Sequence, residues 1–278
     1  MSHPSIVMSV AVLLVSIAAP ARATVNVVTT TEGLAAVVGE IGGDKVKVTA
    51  LSRGIQDPHF VDANPSLAVK LRNAAIQPGA ARRLTAGSFV SPMDLPTGPV
   101  DRSQGDIHPS GNPHFLSDPR RAVQVAEAIA ARLSEIDPAS APYFEARLQA
   151  FRGKVSAAEK GWKAQLAPLA GRSVITQHKT LTYLLDWAGL KAAGYLEPKP
   201  GVAPPPSHVA GLASTVKSAG VKGVLVENYY DPRSANQLRD LSGVKVILIP
   251  GDVGGTKSAP DYLSWVDTLV KSLAQAVQ

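Results

Sequence analysis

The chain of 278 residues contains no cysteine. That absence excludes disulfide scaffolds, thiolate zinc sites, iron–sulfur clusters and cysteine nucleophiles, and with them the lipid-attachment cysteine of a bacterial lipoprotein. Aromatic residues are scarce at 5% and charged residues make up only 18%, while hydrophobic residues reach 45%. Such a chain is too apolar to stay disordered and long enough to bury a sizeable core. The formal charge of +6 is not gathered into a dense basic run, since Arg82-Arg83 and Arg120-Arg121 are isolated pairs, and no nucleic-acid surface is expected. No HExxH-type motif and no repeat of fixed period is present.

Long apolar runs are absent except at the start. Ile6 to Pro20 (IVMSVAVLLVSIAAP) is uncharged and is followed by Ala21-Arg22-Ala23, a hydrophobic segment ending in a small-x-small cleavage pattern. The run is about 15 residues, short of the roughly 20 needed to cross a bilayer as a helix. Residues 1–23 therefore read as a secretory signal peptide cleaved after Ala23, with an uncleaved anchor as the alternative. The mature protein is expected to be soluble and outside the cytoplasm.

Thr24 to Thr30 has strand character, Glu32 to Ile41 has helical spacing stopped by Gly42-Gly43, and Lys45 to Leu51 alternates as a second strand. This β-α-β opening is the signature of a parallel sheet with covering helices. Pro65 to Arg72 reads as a short helix, and between Ala74 and Ile107 only Ser88 to Ser91 is strand-like. Asp118-Pro119 opens a helix through Ile136. A second helix is predicted from Asp137-Pro138, with Asp137 as N-cap, to about Leu169, spanning about 50 Å at 1.5 Å per residue. Its apolar positions do not sustain a heptad, so it bridges two lobes rather than forming a coiled coil. The β/α rhythm then resumes: strands at Ser173–Thr176, Lys191–Leu196, Gly223–Glu227 and Lys245–Ile249, and helices at Lys179–Ala188, Ser207–Ala219, Ser234–Leu241 and Tyr262–Ala276. Each strand is short and apolar, as in a sheet covered on both faces.

Five histidines of the mature chain are candidates for chemistry. His59 follows the second strand, His114 lies in a Gly/Pro loop before a helix, and His178 follows the strand Ser173–Thr176. Asp252 follows the strand Lys245–Ile249. In parallel α/β sheets ligands bind at the carboxyl ends of strands, which is where His59, His178 and Asp252 fall. Three imidazoles and a carboxylate suit zinc in tetrahedral geometry. Residue placement alone leaves a metal shell and surface or capping histidines both open. His108 is a turn residue or hydrogen-bonds a ligand, His208 sits near a helix start on the surface, and Glu227 is better suited to hydrogen-bonding a ligand than to binding metal.

The phrases QDPHFVDANPS, GDIHPSGNPHFLSDP, ITQHKTLTYLLDWAGL and PGDVGG resemble the metal-binding solute-binding proteins of zinc/manganese ABC transporters, from about Thr24 to Gln278. The resemblance implies an α/β fold of two parallel-sheet lobes joined by one long rigid helix, with the metal in the inter-lobe cleft. It implies His59, His114, His178 and Asp252 as metal ligands, with the histidine at 178 matching the zinc-selective branch and Mn2+ the lesser candidate. It further implies a non-enzymatic, monomeric periplasmic protein that captures Zn2+ and passes it to an ABC permease in the inner membrane. Gly87 to Gly105 holds no histidine, so no His-rich scavenging loop is expected. The lobes then span 24–136 and 171–278 around a linking helix at 137–170. Between Asn73 and Ala75 roughly 20 residues found in related proteins are missing, about one β/α unit. The first lobe is expected to be less stable for it. A zinc-dependent hydrolase with Glu227 as base, and a metal-binding adhesin without a transport role, are the rival readings.

Overall fold

The computed structural model describes residues 24–58, 82–101, 105, 108–199 and 201–278. The expected signal peptide, His59, the helix expected at Pro65 to Arg72 and the deletion expected near position 74 lie outside the described residues.

The chain opens with β1 (Val25–Thr29), α1 (Glu32–Gly42) and β2 (Val46–Ala50), as the alternation predicts. Thr31 caps α1, its Oγ1 accepting from the Leu34 amide at 3.3 Å, and Gly43 ends the helix at φ 51°, a conformation glycine adopts without steric cost. β1 and β2 pair in parallel, Val25 opposite Val46 and Thr29 opposite Ala50. After a long irregular stretch come α2 (Pro119–Ile136) and α3 (Ala141–Leu166). Asp118 caps α2 from a buried position, accepting from the Arg120 amide at 2.9 Å and facing the guanidinium groups of Arg120 and Arg121 at 2.8 and 3.3 Å. The second half runs β3 (Ser173–Thr176), α4 (Thr182–Ala188), β4 (Lys191–Tyr195), α5 (Pro206–Ala219), β5 (Gly223–Glu227), α6 (Arg233–Ser242), β6 (Lys245–Ile249) and α7 (Tyr262–Val277). Among the described residues its strands form an all-parallel sheet in the order β4-β3-β5-β6.

Several expectations need correction. Ser88 to Ser91 is not a strand: Ala86–Phe89 is a 3-10 turn. Ala86 and Val90 are buried while Phe89 between them is exposed. Asp137 does not cap the long helix. Pro138–Ser140 forms a separate 3-10 turn, closed by the Ser140 amide on the Asp137 carbonyl at 3.0 Å, and α3 begins at Ala141. It ends at Leu166, before a 3-10 turn at Ala167–Leu169, so its 26 residues span about 39 Å rather than about 50 Å. The helix expected at Lys179–Ala188 begins as a 3-10 turn and is α-helical only from Thr182. Finally, only the central strands β3 and β5 are buried nearly throughout; β1, β2 and the edge strands β4 and β6 keep partly exposed positions, including Val28 and Leu248.

Helix α3 packs against α1 and α7. Near its start Arg147 donates to the carbonyls of Glu40 and Gly39 in α1, at 2.7 and 3.3 Å. Farther along, Phe151 meets Tyr262 of α7 with ring centroids 5.7 Å apart, and the Trp162 indole donates to Asp267 at 3.2 Å. One hydrophobic core therefore runs from Val37 and Ile41 through α2 and α3 to Leu225, Ile249 and Leu269. The opposite face of the second sheet has its own cluster, Ile175, Val224 and Val226 packing on Val209, Leu212 and Leu238. Val174 and Ile175, adjacent in sequence, fall in different clusters, as the two-residue period of a strand requires. No helix among the described residues is long and apolar enough to cross a membrane.

Candidate metal centre

Because every strand of the second sheet runs in the same direction, the residues just past their carboxyl ends collect on one rim. His178 follows β3, Glu197 follows β4, Glu227 closes β5 and Asp252 follows β6. The loop after β2 packs on the same rim. Asn228 accepts from the Gly251 amide at 2.8 Å and donates to the carbonyls of Gly255 and Gly54 at 3.0 and 3.4 Å, which ties the segment before His59 to the loop that carries Asp252.

The structure brings two of the expected ligands together. The rings of His114 and His178 are 5.8 Å apart and nearly perpendicular, at 78°. Two imidazoles sharing one zinc at roughly 2.0–2.1 Å in tetrahedral geometry bring their centroids to roughly 5–6 Å, so this pair fits a common cation. Asp252 sits against α1, accepting from the Gly33 amide at 3.0 Å and the Val253 amide at 2.8 Å. Burial pushes its carboxyl up to about 6 in spite of these donors. Among the described residues no three His, Asp or Glu side chains are grouped closely enough to hold a metal, and His59 lies outside them.

Each imidazole of the pair is fixed by a partner that sequence reasoning missed. His178, buried, places Nδ1 3.3 Å from Oε2 of Glu197, whose position is held by the Gly201 amide at 3.0 Å. His114 places Nδ1 2.8 Å from Oδ1 of Asn112. The Asn112 amide cannot be the other way round, because its Nδ2 donates to Asp94 at 3.0 Å and to the Lys179 carbonyl at 2.8 Å. His114 is therefore protonated at Nδ1, and a neutral ring in that tautomer presents Nε2 to a cation. Asp94, at φ 52°, is held in turn by Lys179 and Thr182 at 3.4 and 3.1 Å. Glu197 could have been found by the rule that selected His178 and Asp252, since it too follows a parallel strand. Asn112 carried no signal beyond its place two residues before His114. Replacing Asn112 by alanine is expected to lower zinc affinity by about 10–100-fold, measured by chelator competition; unchanged affinity would remove this role.

Glu227 is fully buried, with Oε1 accepting from the Thr180 hydroxyl and Oε2 without a hydrogen-bond partner among the described residues. Burial pushes its carboxyl up to about 7. Burial beside Glu227, Asp57 and Asp252 likewise pushes the Tyr229 hydroxyl well above its usual range, and burial and Asp57 raise Tyr230. Asp57, Glu197, Glu227 and Asp252 thus bring four carboxyl groups to this rim. His108 contributes a turn, its carbonyl accepting from the Gly111 amide at 3.0 Å. His208 departs from the surface placement expected of it: it is half-buried, with Nε2 3.0 Å from the Tyr195 carbonyl.

Comparison with known proteins agrees with this architecture. A crystal structure of ZnuA is similar to this chain with a TM-score of 0.75, covering 92% of this chain and all of the other at 21% identity. The manganese-bound form of a mutant periplasmic metal-binding protein from Candidatus Liberibacter asiaticus has a TM-score of 0.73 at 18% identity, over 92% of this chain and all of that one. The high-affinity zinc uptake system protein ZnuA of Brucella abortus is 27% identical over 161 residues, which are 58% of this chain and 48% of that protein. The chain thus spans about half the length of the curated relatives it matches. The family model described as zinc-uptake complex component A, periplasmic (ZnuA), matches residues 27–276, nearly everything after the first 23 residues, and the chain belongs to that family.

Proposed function

We propose that this protein captures Zn2+ outside the cytoplasm and delivers it to an ABC permease of the inner membrane, with His59, His114, His178 and Asp252 as the ligands. The observation that carries the reading is the imidazole pair: His114 and His178 stand 5.8 Å apart with each Nδ1 facing a protein acceptor. Family membership and the zinc-uptake name of the Brucella relative support zinc as cargo. Two or three imidazoles with one carboxylate also favour zinc over manganese, a harder ion better served by oxygen donors. The chain acts by binding and release, as a monomer after cleavage at Ala23, and catalyses no reaction. Because one core runs through both lobes and α3 is tied to each, loading is read out through the loops around His59, His114 and Asp252 rather than through wide hinge closure.

Titration of the metal-free mature protein with Zn2+ and Mn2+ tests this. One zinc per chain is expected, bound more tightly than manganese, with affinity falling as pH is lowered because metal and protons compete for the same ligands. Equal affinity for the two ions would overturn the zinc assignment, and no binding of either would overturn the function.

A further inference from the structure

Gly33 lies in the first turn of α1, buried, and its backbone is ordinary helix, so no unusual dihedral angle requires glycine there. Helix propensity alone would favour alanine at such a position. The reason for glycine is close approach. A Cβ at residue 33 would lie 2.5 Å from Oδ1 of Asp252 and 3.4 Å from its Cγ, while the nearest other atom, Leu116 Cδ1, is at an ordinary 3.4 Å. The carboxylate occupies the volume that a methyl group would take.

We infer that Gly33 is a positioning residue for the metal: its missing side chain lets Asp252 lie against the start of α1, where backbone amides aim the carboxylate. The Gly33 amide holds Oδ2 at 3.0 Å and the Val253 amide holds Oδ1 at 2.8 Å, so rotation of the group is blocked at both oxygens. An ionised carboxylate has about four lone-pair sites, so these amides leave room on it for a cation. The donors come from different parts of the chain: Val253 belongs to the loop after β6, whereas Gly33 belongs to α1 in the first lobe. The aim of the carboxylate therefore depends on how α1 sits against the second sheet. Leu116, also touching this point, is two residues from His114, so the helix start bears on the loop of a second ligand as well. Sequence reading offered no hint of this, because Gly33 is simply one weak helix former in EGLAAVVGEI.

The inference rests on Asp252 being a zinc ligand, and the test separates the two claims. Zinc affinity is measured by chelator competition, and the visible spectrum is recorded with Co2+, for Gly33→Ala, Asp252→Ala, the double variant and Gly39→Ala. Gly39 lies on the same helix with nothing within 4 Å of an added Cβ, so it reports helix propensity alone. Gly33→Ala is expected to bind zinc about 10–100-fold more weakly and to show the Co2+ spectrum of Asp252→Ala. The metal-free thermal midpoint of Gly33→Ala should fall no further than that of Asp252→Ala, since any loss comes through the same carboxylate, and the double variant should be no weaker than Asp252→Ala alone. Gly39→Ala should bind as the parent does. Wild-type affinity in Gly33→Ala, additive losses in the double variant, or a Gly33→Ala chain that unfolds would each overturn the inference. If Asp252→Ala itself binds zinc normally, the ligand assignment fails first and the inference with it.

Discussion

Replacing His178 by alanine is expected to weaken zinc binding by more than about 100-fold, beyond the 10–100-fold that loss of a ligand's hydrogen-bond partner produces. The ring is buried, faces His114 at 5.8 Å and follows β3 at the rim where the parallel strands end. No neighbouring donor can take its place from the same position: Glu197 lies behind it on Nδ1, and Gln177 donates to Glu197 at 3.5 Å. Glu197→Gln should fall between the parent and His178→Ala, because an amide oxygen still accepts from Nδ1 but no longer raises the basicity of the ring. Chelator competition at neutral pH ranks the three proteins. Tight zinc binding in His178→Ala would contradict the assignment of the ligand set.

The metal-free protein is expected to become less stable as pH rises from about 5 to about 8, opposite to the trend of its zinc affinity. Burial moves the Glu227 carboxyl from 4.5 to about 7 and the Asp252 carboxyl from 3.8 to about 6. Both are raised, so in this range the folded chain holds protons that the unfolded chain has released. Their stabilising contribution is full below the unfolded values, near about pH 4, and is lost as pH climbs through the folded values. For Glu227 alone the change corresponds to about 3 kcal/mol at 1.36 kcal/mol per pH unit. Urea midpoints taken in chelator across this range should therefore fall. Glu227→Gln, which cannot titrate, should flatten the slope. Zinc adds stability in proportion to the logarithm of its binding, so the zinc-induced rise in midpoint should grow with pH as protons compete less for the ligands. A slope unchanged in Glu227→Gln would show that Glu227 does not carry a buried proton.

Much of the element order was legible because its signals are local. Asp118-Pro119 marks a helix start within two residues, and the actual cap is the Asp118 carboxylate on the Arg120 amide. Asp137-Pro138 carries the same pattern and opens only a 3-10 turn, since nothing in the pair states whether the following backbone will continue as α-helix. The apolar pair within Ser88 to Ser91 is equally silent on whether its backbone will be extended or turned, and Ala86–Phe89 is a 3-10 turn. Strand ends were readable enough to place His178 and Asp252 on one rim. Glu197, just past Lys191–Tyr195, obeys the same rule.

Sequence alone determined the α/β class, the parallel order implied by strand–helix alternation, and the donor types of the expected zinc shell, because periodicity and residue chemistry are properties of short stretches. Tertiary structure decided which atom touches which. It set the tautomer of His114 through the two acceptors of the Asn112 amide, and the face that Glu197 presents to His178. It also brought Asp252 to the start of α1, 219 residues away, where the absence of one methyl group makes room for a carboxylate. Such contacts depend on distances between elements, and those are fixed only once the common core has packed.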